Sequence, residues 1–379
     1  MRLIVFGLSI TSTWGNGHGT TYRALLQALH ARGHDIEFFE KDVEWYACNR
    51  DLPDPEFCKV CLYESWRDVL PHARKQLRQA DVAIVGSYFY DGIAAIDEML
   101  AANTPVKAFY DIDTPVTISA LRARGEAEYL AACQIPAFDI YFSFTGGPML
   151  REIEQRFGAS RAVPLYCAFD PQRYRRLTPN HKFACDLSYM GTYAPDRQPK
   201  LEQLLLEPAR QLGARSFVVA GPQYPATVRW PNNVRRIEHL SAQWHPEFYS
   251  SSRFTLNVTR RDMTIAGYSP SVRLFEAAAC GATIVSDNWP GLDNFFAPSR
   301  EILLPTGSDD VVHYLTALDD AEVRRVGEAA QARVLAEHTS AVRAAQFERA
   351  VESVIAAPVM SASDSRLPAS NVPAEASCD

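Results

Sequence analysis

Several features that would assign this 379-residue chain to a common class are missing. No apolar run approaches the roughly 20 residues that cross a membrane as a helix, so no transmembrane segment is predicted. The net charge of −7 argues against non-specific nucleic-acid binding and favours small or neutral ligands. The apolar run 1–7 soon becomes polar and predicts a first strand, not a signal peptide, so we expect a cytoplasmic protein.

Signatures of several familiar chemistries are missing as well. There is no Walker P-loop and no Ser/His/Asp arrangement with a nucleophile elbow, so NTPase and hydrolase functions lack direct support. The eight cysteines are scattered and are expected to be free thiols in a cytoplasmic protein. Cys58 and Cys61 have the spacing of a zinc site, with Cys48 nearby, but no histidine completes the ligand set. No metal is therefore predicted.

The first half of the chain alternates strand and helix patterns. Apolar, β-branched runs separated by helix-length segments are typical of a parallel sheet covered on both faces. Residues 48–65 are expected to form an irregular insertion. These patterns predict a Rossmann-like first domain over residues 1–168. Its strands are expected at 3–8, 35–40, 82–86, 106–111, 140–144 and 162–165, with helices at 20–32, 66–79 and 93–101.

The same pattern starts again after a polar, proline-containing linker at 169–182. A second doubly wound domain is predicted over 183–337, and residues 338–357 are expected to form a helix. The tail 358–379 has little apolar content and is expected to be disordered. The strands of this second domain are expected at 187–191, 216–220, 234–238, 254–258, 283–286 and 302–304, and the final helices at 323–338 and 341–356.

The stretch 268–287 is the most informative part of the sequence. Glu276 lies in a predicted helix that ends at Gly281, and an apolar strand follows directly. In an α/β sheet, ligands bind at the carboxyl ends of strands, beside helix N-termini that favour anions. The Glu276 carboxylate would suit the two hydroxyls of a ribose.

A glycine-rich loop follows the first predicted strand. Gly15, Gly17 and Gly19 alternate there, flanked by Trp14 and His18. Glycines allow a backbone to approach a ligand closely, and a histidine can act as a general base near neutral pH. The loop does not match the dinucleotide fingerprint, so an NAD site has weak support. A flexible surface loop remains the alternative to a substrate-facing loop.

Asp111 and Asp113 end the strand predicted at 106–111. An Asp-x-Asp pair can hold a divalent metal, but the pattern is short and frequent by chance. Contact with substrate and capping of the next helix, with Pro115 at its start, are the alternatives.

Other polar residues follow strands of the second domain. They could hold a diphosphate or sugar hydroxyls, and they could equally be solvated charges or turn residues. They are Gly191, Arg197 and Lys200 after the strand 187–191, Arg260 after the strand 254–258, Arg273 in the following helix, and Asp287 and Asn288 after the strand 283–286.

These segments together resemble the GT-B glycosyltransferases, and most closely the CgeB-like (spore maturation protein) family. The matching stretches are 12–21, 109–116, 252–260 and 267–281. The resemblance implies two Rossmann-like domains facing a cleft, with terminal helices that cross back to the first domain. It also implies a bacterial-type, hexosyltransferase-like enzyme without metal or cofactor, which moves a sugar from a nucleotide-diphosphate donor to an unidentified glycan, protein or small molecule.

The resemblance assigns roles to individual residues. Glu276 matches the glutamate that binds the ribose in retaining GT-B enzymes, whereas Tyr268 stands where a second glutamate is usual. This departure leaves the stereochemical outcome open. The donor is expected in the second domain, with Gly191, Arg197 and Lys200 as a loose match to the phosphate clamp, Arg260 and Arg273 near phosphate, and Asp287 and Asn288 near the sugar. An inverting reaction would need a base, for which His18, Asp111 and Asp113 are the candidates.

Three other functions remain open from the sequence. A nucleotide-sugar epimerase or hydrolase would use the same donor site without an acceptor. A non-catalytic nucleotide-sugar-binding protein is favoured by the presence of Tyr268 in place of a glutamate. A metal-dependent GT-A enzyme built on Asp111 and Asp113 is a weaker alternative, because it leaves the second βα half without explanation.

Overall fold

A computed structural model describes residues 1–15 and 17–356, so the tail predicted at 358–379 lies outside the described residues. The first domain is built on a parallel seven-stranded sheet with the order β3-β2-β1-β4-β5-β8-β9. A two-stranded hairpin, β6-β7, lies outside that sheet. The strands are β1 (Arg2–Phe6), β2 (Asp35–Lys41), β3 (Lys59–Tyr63), β4 (Val82–Gly86), β5 (Val106–Asp111), β6 (Glu126–Ala127), β7 (Leu130–Ala131), β8 (Ile140–Ser143) and β9 (Ala162–Pro164).

Helices cover both faces of this sheet, which is why its central strands are apolar on both sides. Residues Leu3–Phe6 of β1, for example, are completely buried. One apolar cluster lies on each face of the sheet. The helices are α1 (Gly17–Ala31), α2 (Glu44–Ala47), α3 (Trp66–Leu77), α4 (Gly92–Ala101), α5 (Thr114–Arg124) and α6 (Pro148–Gln155).

The second domain repeats the same topology with a parallel five-stranded sheet, ordered β12-β11-β10-β13-β14. Its strands are β10 (Cys185–Met190), β11 (Phe217–Ala220), β12 (Val234–Ile237), β13 (Ser252–Asn257) and β14 (Thr283–Ser286). In both sheets the chain order reverses beside the first strand, so the carboxyl ends of neighbouring strands open a crevice there. The helices are α7 (Gln198–Leu201), α8 (Glu207–Gln211), α9 (His245–Ser250), α10 (Arg261–Ala266), α11 (Val272–Ala279), α12 (Ser308–Ala317) and α13 (Asp320–Glu337).

The last described helix, α14 (Ser340–Ile355), returns to the first domain and packs against α1. Its apolar residues Phe347 and Val351 belong to the cluster that also contains Leu25 and Leu29. On the rim of this contact, Glu348 accepts hydrogen bonds from the Arg32 Nε at 2.7 Å and from His34. The arginine and histidine lower the pKa of Glu348 to about 2, with the Arg32 hydrogen bond as the largest cause.

Three details differ from the sequence prediction. The stretch 48–65, expected to be irregular, contains the edge strand β3. Residues 302–304, expected to form a strand, make isolated bridges at Ile302 and Leu303 only. Helix α1 begins at Gly17, three residues before its predicted start. Within the described residues, none of the helices is long and apolar enough to cross a membrane.

Candidate active site

A cleft of about 410 Å³ lies between the carboxyl ends of the two sheets. Loops after β1, β4 and β5 form one wall, and the segments that follow β13 and begin α11 form the other. Both walls therefore come from strand ends and helix starts, where backbone and side-chain polar groups are available to a ligand. The lining includes Gly15, Gly17, His18, Tyr88 and Asp113 from the first domain, and Thr259, Arg260, Ser269, Ser271 and Arg273 from the second.

His18 and Asp113 form a pair on the first-domain wall. The His18 Nε2 lies 3.5 Å from the Asp113 Oδ2, and His18 is 7% exposed. The other ring nitrogen, Nδ1, is buried and has no hydrogen-bond partner among the residues that the structure describes. Tyr88 packs edge-on against the imidazole, and its own pKa is raised to about 12, mainly by burial and then by Asp113. The arrangement is that of a histidine held by a carboxylate at a cleft wall.

Asp111 lies away from this wall, although it was predicted with Asp113. Its carboxylate is completely buried and accepts hydrogen bonds from the Tyr141 hydroxyl at 2.6 Å and the Thr117 hydroxyl at 2.8 Å. Burial raises its pKa to about 6 despite these donors. Asp113 begins α5 but makes no side-chain capping bond, so its carboxylate remains available to His18. Asp111 is thus not brought to the cleft, and its contacts are structural.

The glycine-rich loop contacts both domains. Gly15, at φ 68°, and Gly17 line the cleft, whereas Gly19 is buried in the first turn of α1. Trp14 crosses to the second domain, where its ring lies 4.1 Å from that of His239. Within its described residues, the loop thus lines the cleft and contacts the second domain through Trp14.

Three arginines bring positive charge to the second-domain wall. Arg260 and Arg273 line the cleft, and the Arg273 Nη1 has no hydrogen-bond partner. Arg197 is buried, donates from Nη2 to the Thr192 carbonyl at 2.6 Å and has an unpartnered Nε. Burial is the main cause that lowers the pKa of Arg197, and the nearby Arg273 adds to it. Within residues 1–15 and 17–356, no carboxylate lies within 4.0 Å of these three cations.

The remaining polar residues that were predicted to bind the donor do not line the cleft. Gly191 ends β10 with a carbonyl that accepts from the Tyr224 hydroxyl at 3.1 Å. Asp287 accepts from the backbone N–H of Thr259 at 3.1 Å and holds the loop that follows β13. Lys200 and Asn288 are exposed at the edge of the same domain, and neither lines the cleft.

Glu276 is buried in α11 and is 3% exposed. The Tyr174 hydroxyl, which lies 3.5 Å from the His245 Nδ1, and the cations Arg173 and Arg273 favour the ionised form of its carboxylate. Burial is the largest effect and raises the pKa of this carboxyl group. Glu276 therefore lies one layer behind Arg273, beneath the cleft wall and not in its lining.

Tyr268 occupies the junction between the domains, so it does not lie in the cleft as predicted. Its φ is 49°, and its ring packs between Gly147 of the first domain and Gly291 of the second. A Cβ on Gly147 would lie 2.4 Å from that ring. The Tyr268 carbonyl accepts from the Gly146 N–H at 3.0 Å, which fixes this residue to both domains.

Several cleft residues were missed by the sequence prediction. Tyr88 lies two residues after the end of β4, a position at a strand end that could have identified it. Ser269 lines the cleft and shares a 2.7 Å hydrogen bond with Thr145 of the first domain, a contact without a sequence signal. His239 and Tyr174 are equally set by tertiary contacts with Trp14 and Glu276.

Comparison with solved structures identifies this architecture. A sucrose-phosphate synthase from Thermosynechococcus elongatus superposes with a TM-score of 0.67 at 13% identity, covering 94% of this chain and 100% of that one. Anabaena HepE, solved with UDP and glucose, gives a TM-score of 0.66 at 12% identity over 93% and 100% of the two chains. The chain has the GT-B glycosyltransferase fold. An alpha-glucosyltransferase solved with UDP-glucose and DNA gives a TM-score of 0.65 at 15% identity over 92% and 99% of the chains.

Sequence comparison agrees with the fold in the second domain. Residues 197–349 match the family model described as "Glycosyl transferase-like". No curated protein matches the chain. The predicted GT-B fold is thereby confirmed. The predicted glycosyltransferase function is confirmed at the level of the family model, which describes a glycosyl transferase-like sequence and covers most of the second domain. The CgeB-like assignment stays a prediction.

Proposed function

We propose that this protein transfers a sugar from a nucleotide-diphosphate donor to an acceptor hydroxyl in the cleft. The observation that carries the proposal is the opposition of two chemically different walls across one cavity. His18 and Asp113, which can accept a proton, lie on one wall, and Arg260 and Arg273 lie on the other. Sugar transfer needs both a place for the acceptor's proton and positive charge for the leaving diphosphate.

The charge of the second-domain wall supports a diphosphate ligand. Arg273 lies close enough to lower the pKa of Arg197, and none of the described carboxylates lies within 4.0 Å of either guanidinium, although Asp196 and Glu276 act at longer range. Guanidinium groups bind phosphate oxygens through two parallel hydrogen bonds, and Arg197 and Arg273 each keep an unpartnered nitrogen. A diphosphate would compensate both cations, and they would stabilise the charge that develops as it leaves. Lys200 adds a more exposed cation to the same side.

The ribose and sugar contacts follow from this placement. Glu276 lies behind Arg273, which agrees with a role on the ribose hydroxyls after a small movement of the wall. We assign Asp287 and Asn288 to the sugar side because they follow β14 at the same sheet edge. Tyr268 takes no part in donor binding in this proposal, since its ring is held between Gly147 and Gly291.

The acceptor side is assigned to His18. In an inverting reaction the acceptor oxygen bonds to the anomeric carbon, the bond from that carbon to the phosphate oxygen breaks, and the acceptor's proton passes to the imidazole. Asp113 would orient the ring and stabilise the imidazolium that forms. Asp111 is excluded from the role of base because Tyr141 and Thr117 already occupy its carboxylate.

Metal independence is part of the proposal. Two observations support it. The Asp111 carboxylate is already hydrogen-bonded by Tyr141 and Thr117 and lies away from the cleft that Asp113 lines. Arginines supply the positive charge on the opposite wall. Activity that survives 5–10 equivalents of EDTA, roughly enough to remove a bound divalent ion, is the expected result. Loss of activity restored by Mg²⁺ or Mn²⁺ would contradict it.

The first experiment is a thermal-stability screen with UDP, other nucleoside diphosphates and their sugar conjugates. A ligand that binds only the folded state raises the melting temperature, by an amount that grows with its concentration. UDP is placed first because one of the similar structures was solved with UDP and another with UDP-glucose. Arg273→Ala should reduce the shift for UDP, whereas Arg235→Ala, which removes an exposed arginine from β12 of the same domain, should not.

The second experiment separates transfer from the other functions. UDP release from a bound donor is measured with and without a panel of glycan, peptide and small-molecule acceptors. Release that depends on an acceptor supports transfer. Equal release without any acceptor would indicate a hydrolase. Conversion of the donor sugar into its epimer would indicate an epimerase. Tight binding without turnover, across all the donors and acceptors tested, would indicate a non-catalytic binding protein.

A further inference from the structure

A second cavity of about 560 Å³ lies at the junction of the two domains and shares no lining residue with the cleft. Tyr166 and Gly147 contribute from the first-domain side, and Tyr268 and Asn294 from the second. It is closed by His338, in the turn between α13 and α14, and by Arg343 and Gln346 of α14. We call it the junction cavity.

Arg343 is a buried cation that lacks an anionic partner. It is 1% exposed, and no carboxylate of the described residues lies within 4.0 Å of its guanidinium. Its hydrogen bonds go to neutral acceptors only: the Glu337 carbonyl at 3.3 Å, the Gln346 Oε1 at 3.1 Å and the His338 Nδ1 at 2.7 Å. The third guanidinium nitrogen, Nε, has no hydrogen-bond partner among the described residues.

The rings around Arg343 do not replace the missing anion. Its guanidinium lies 5.4 Å from the centre of the Tyr166 ring and 5.8 Å from that of Phe275, distances at which a cation is attracted to an aromatic face. Burial nevertheless dominates and lowers the pKa of Arg343 to about 10. A buried charge without a counter-charge is costly, which makes its retention here unusual.

His338 offers a second donor at the same place. Burial, and then the charge of Arg343, lower its pKa to about 3, so the ring is neutral at physiological pH. Because Nδ1 accepts from Arg343, the ring proton must be on Nε2. That Nε2–H is buried without a partner, and the residue is 6% exposed. The one acidic side chain in the lining, Glu337, is paired with Arg333 at 3.1 Å.

We propose that the junction cavity is a binding site for a small oxyanion, a carboxylate or phosphate group, held by Arg343 and His338. The group would provide the counter-charge that Arg343 lacks, and a small rotation of the two side chains would let it accept from the Arg343 Nε and the His338 Nε2, which are buried in the described structure. Planar, bidentate oxyanions suit a guanidinium particularly well. Asn294 and Gln346 supply further polar contacts on the cavity wall. This site is independent of the nucleotide site and of the proposed sugar transfer.

The test uses the full chain and its melting temperature in sodium phosphate or sodium citrate, compared with sodium chloride at equal ionic strength. Both anions also stabilise proteins generally, by exclusion from the surface, and that effect is the same in closely similar variants. The informative quantity is therefore the difference between variants. Gln346→Glu places a carboxylate about 3 Å from the Arg343 Nη1 and so supplies the counter-charge internally.

We expect Gln346→Glu to melt higher than the native protein in chloride and to lose the additional, saturable shift that phosphate or citrate gives the native protein. Arg343→Met, an apolar replacement of similar length, should lose that shift too and should fold, since such replacements of buried charges are often tolerated. Arg273→Ala removes a cation of the cleft and should keep the shift.

Three results would overturn the proposal. Equal shifts in the native protein, Gln346→Glu and Arg343→Met would mean that only surface exclusion acts, as would the absence of any saturable shift. A shift that disappears in Arg273→Ala but persists in Gln346→Glu would place the anion in the cleft instead.

Discussion

Tyr174→Phe removes one hydroxyl from the core of the second domain; this hydroxyl favours the ionised form of the buried Glu276 carboxylate and lies 3.5 Å from the His245 Nδ1. A hydrogen bond to a charged group contributes about 1.5–3 kcal/mol, and a buried acceptor left unsatisfied loses at least that much. Glu276 is 3% exposed, so water cannot replace the hydroxyl without a rearrangement. We therefore expect the free energy of unfolding to fall by about 1.5–3 kcal/mol at pH 7.

The loss should depend on pH in a defined direction. Burial raises the folded-state pKa of Glu276 above its unfolded value, and the Tyr174 hydrogen bond partly opposes that rise. A raised acid pKa means that the folded protein binds protons more readily, so this group destabilises the fold above its folded pKa and ceases to do so at lower pH. In Tyr174→Phe the folded pKa rises further. The stability difference between variant and native protein should shrink as the pH falls through that value.

Urea unfolding followed by tryptophan fluorescence at pH 8, 7, 6 and 5 measures this difference directly. Tyr249→Phe is the matched control, because Tyr249 is equally buried in the same cluster but its hydroxyl has no hydrogen-bond partner. That variant should be as stable as the native protein or more so. A loss for Tyr174→Phe that matches the control, or a loss that grows as the pH falls, would refute the reasoning.

Three further predictions concern the cleft and the junction. His18→Asn should lower kcat by about 10²–10⁴ through loss of the base and leave UDP affinity unchanged; a parallel loss of UDP binding in calorimetry would argue for a structural role. Glu276→Gln should weaken uridine and UDP alike, because the ribose is common to both, and unchanged affinities would remove it from the donor site. Gly147→Ala places a Cβ 2.4 Å from the Tyr268 ring at φ 61° and should cost about 2–4 kcal/mol in urea unfolding. Gly213→Ala, where a Cβ meets nothing within 4 Å, should change stability by less than about 0.5 kcal/mol, and equal losses would contradict this account.

The fold could be predicted where strands are buried on both faces. Such strands, like β1 and β4, are continuous apolar runs that periodicity detects. β3 escaped prediction because it is an edge strand: its sequence, Lys59–Tyr63, mixes charged and apolar residues and is only partly buried. The opposite error occurs at residues 302–304, where an apolar run predicted a strand. Ile302 and Leu303 are buried there but form only isolated bridges.

The site could be predicted in its position more than in its members. Strand ends and glycines located the cleft. Asp111 and Asp113 nevertheless lie in different surroundings, because Asp111 ends the buried strand and Asp113 begins the next helix. Which of two nearby carboxylates reaches a cleft depends on Tyr141 and Thr117, which come from other elements. Tyr268 illustrates the same limit. Its position is set by two glycines, one from each domain, that are distant in sequence.

Helix α14 has a consequence for the order in which the protein is assembled during synthesis. The first domain emerges from the ribosome first, and domains made early generally begin to fold early. Its apolar cluster nevertheless includes Ala344, Phe347, Ala350 and Val351, which are translated after the entire second sheet. The nascent chain must therefore carry an uncovered apolar face on α1 for most of its synthesis. The domain that is translated first is the last to be completed.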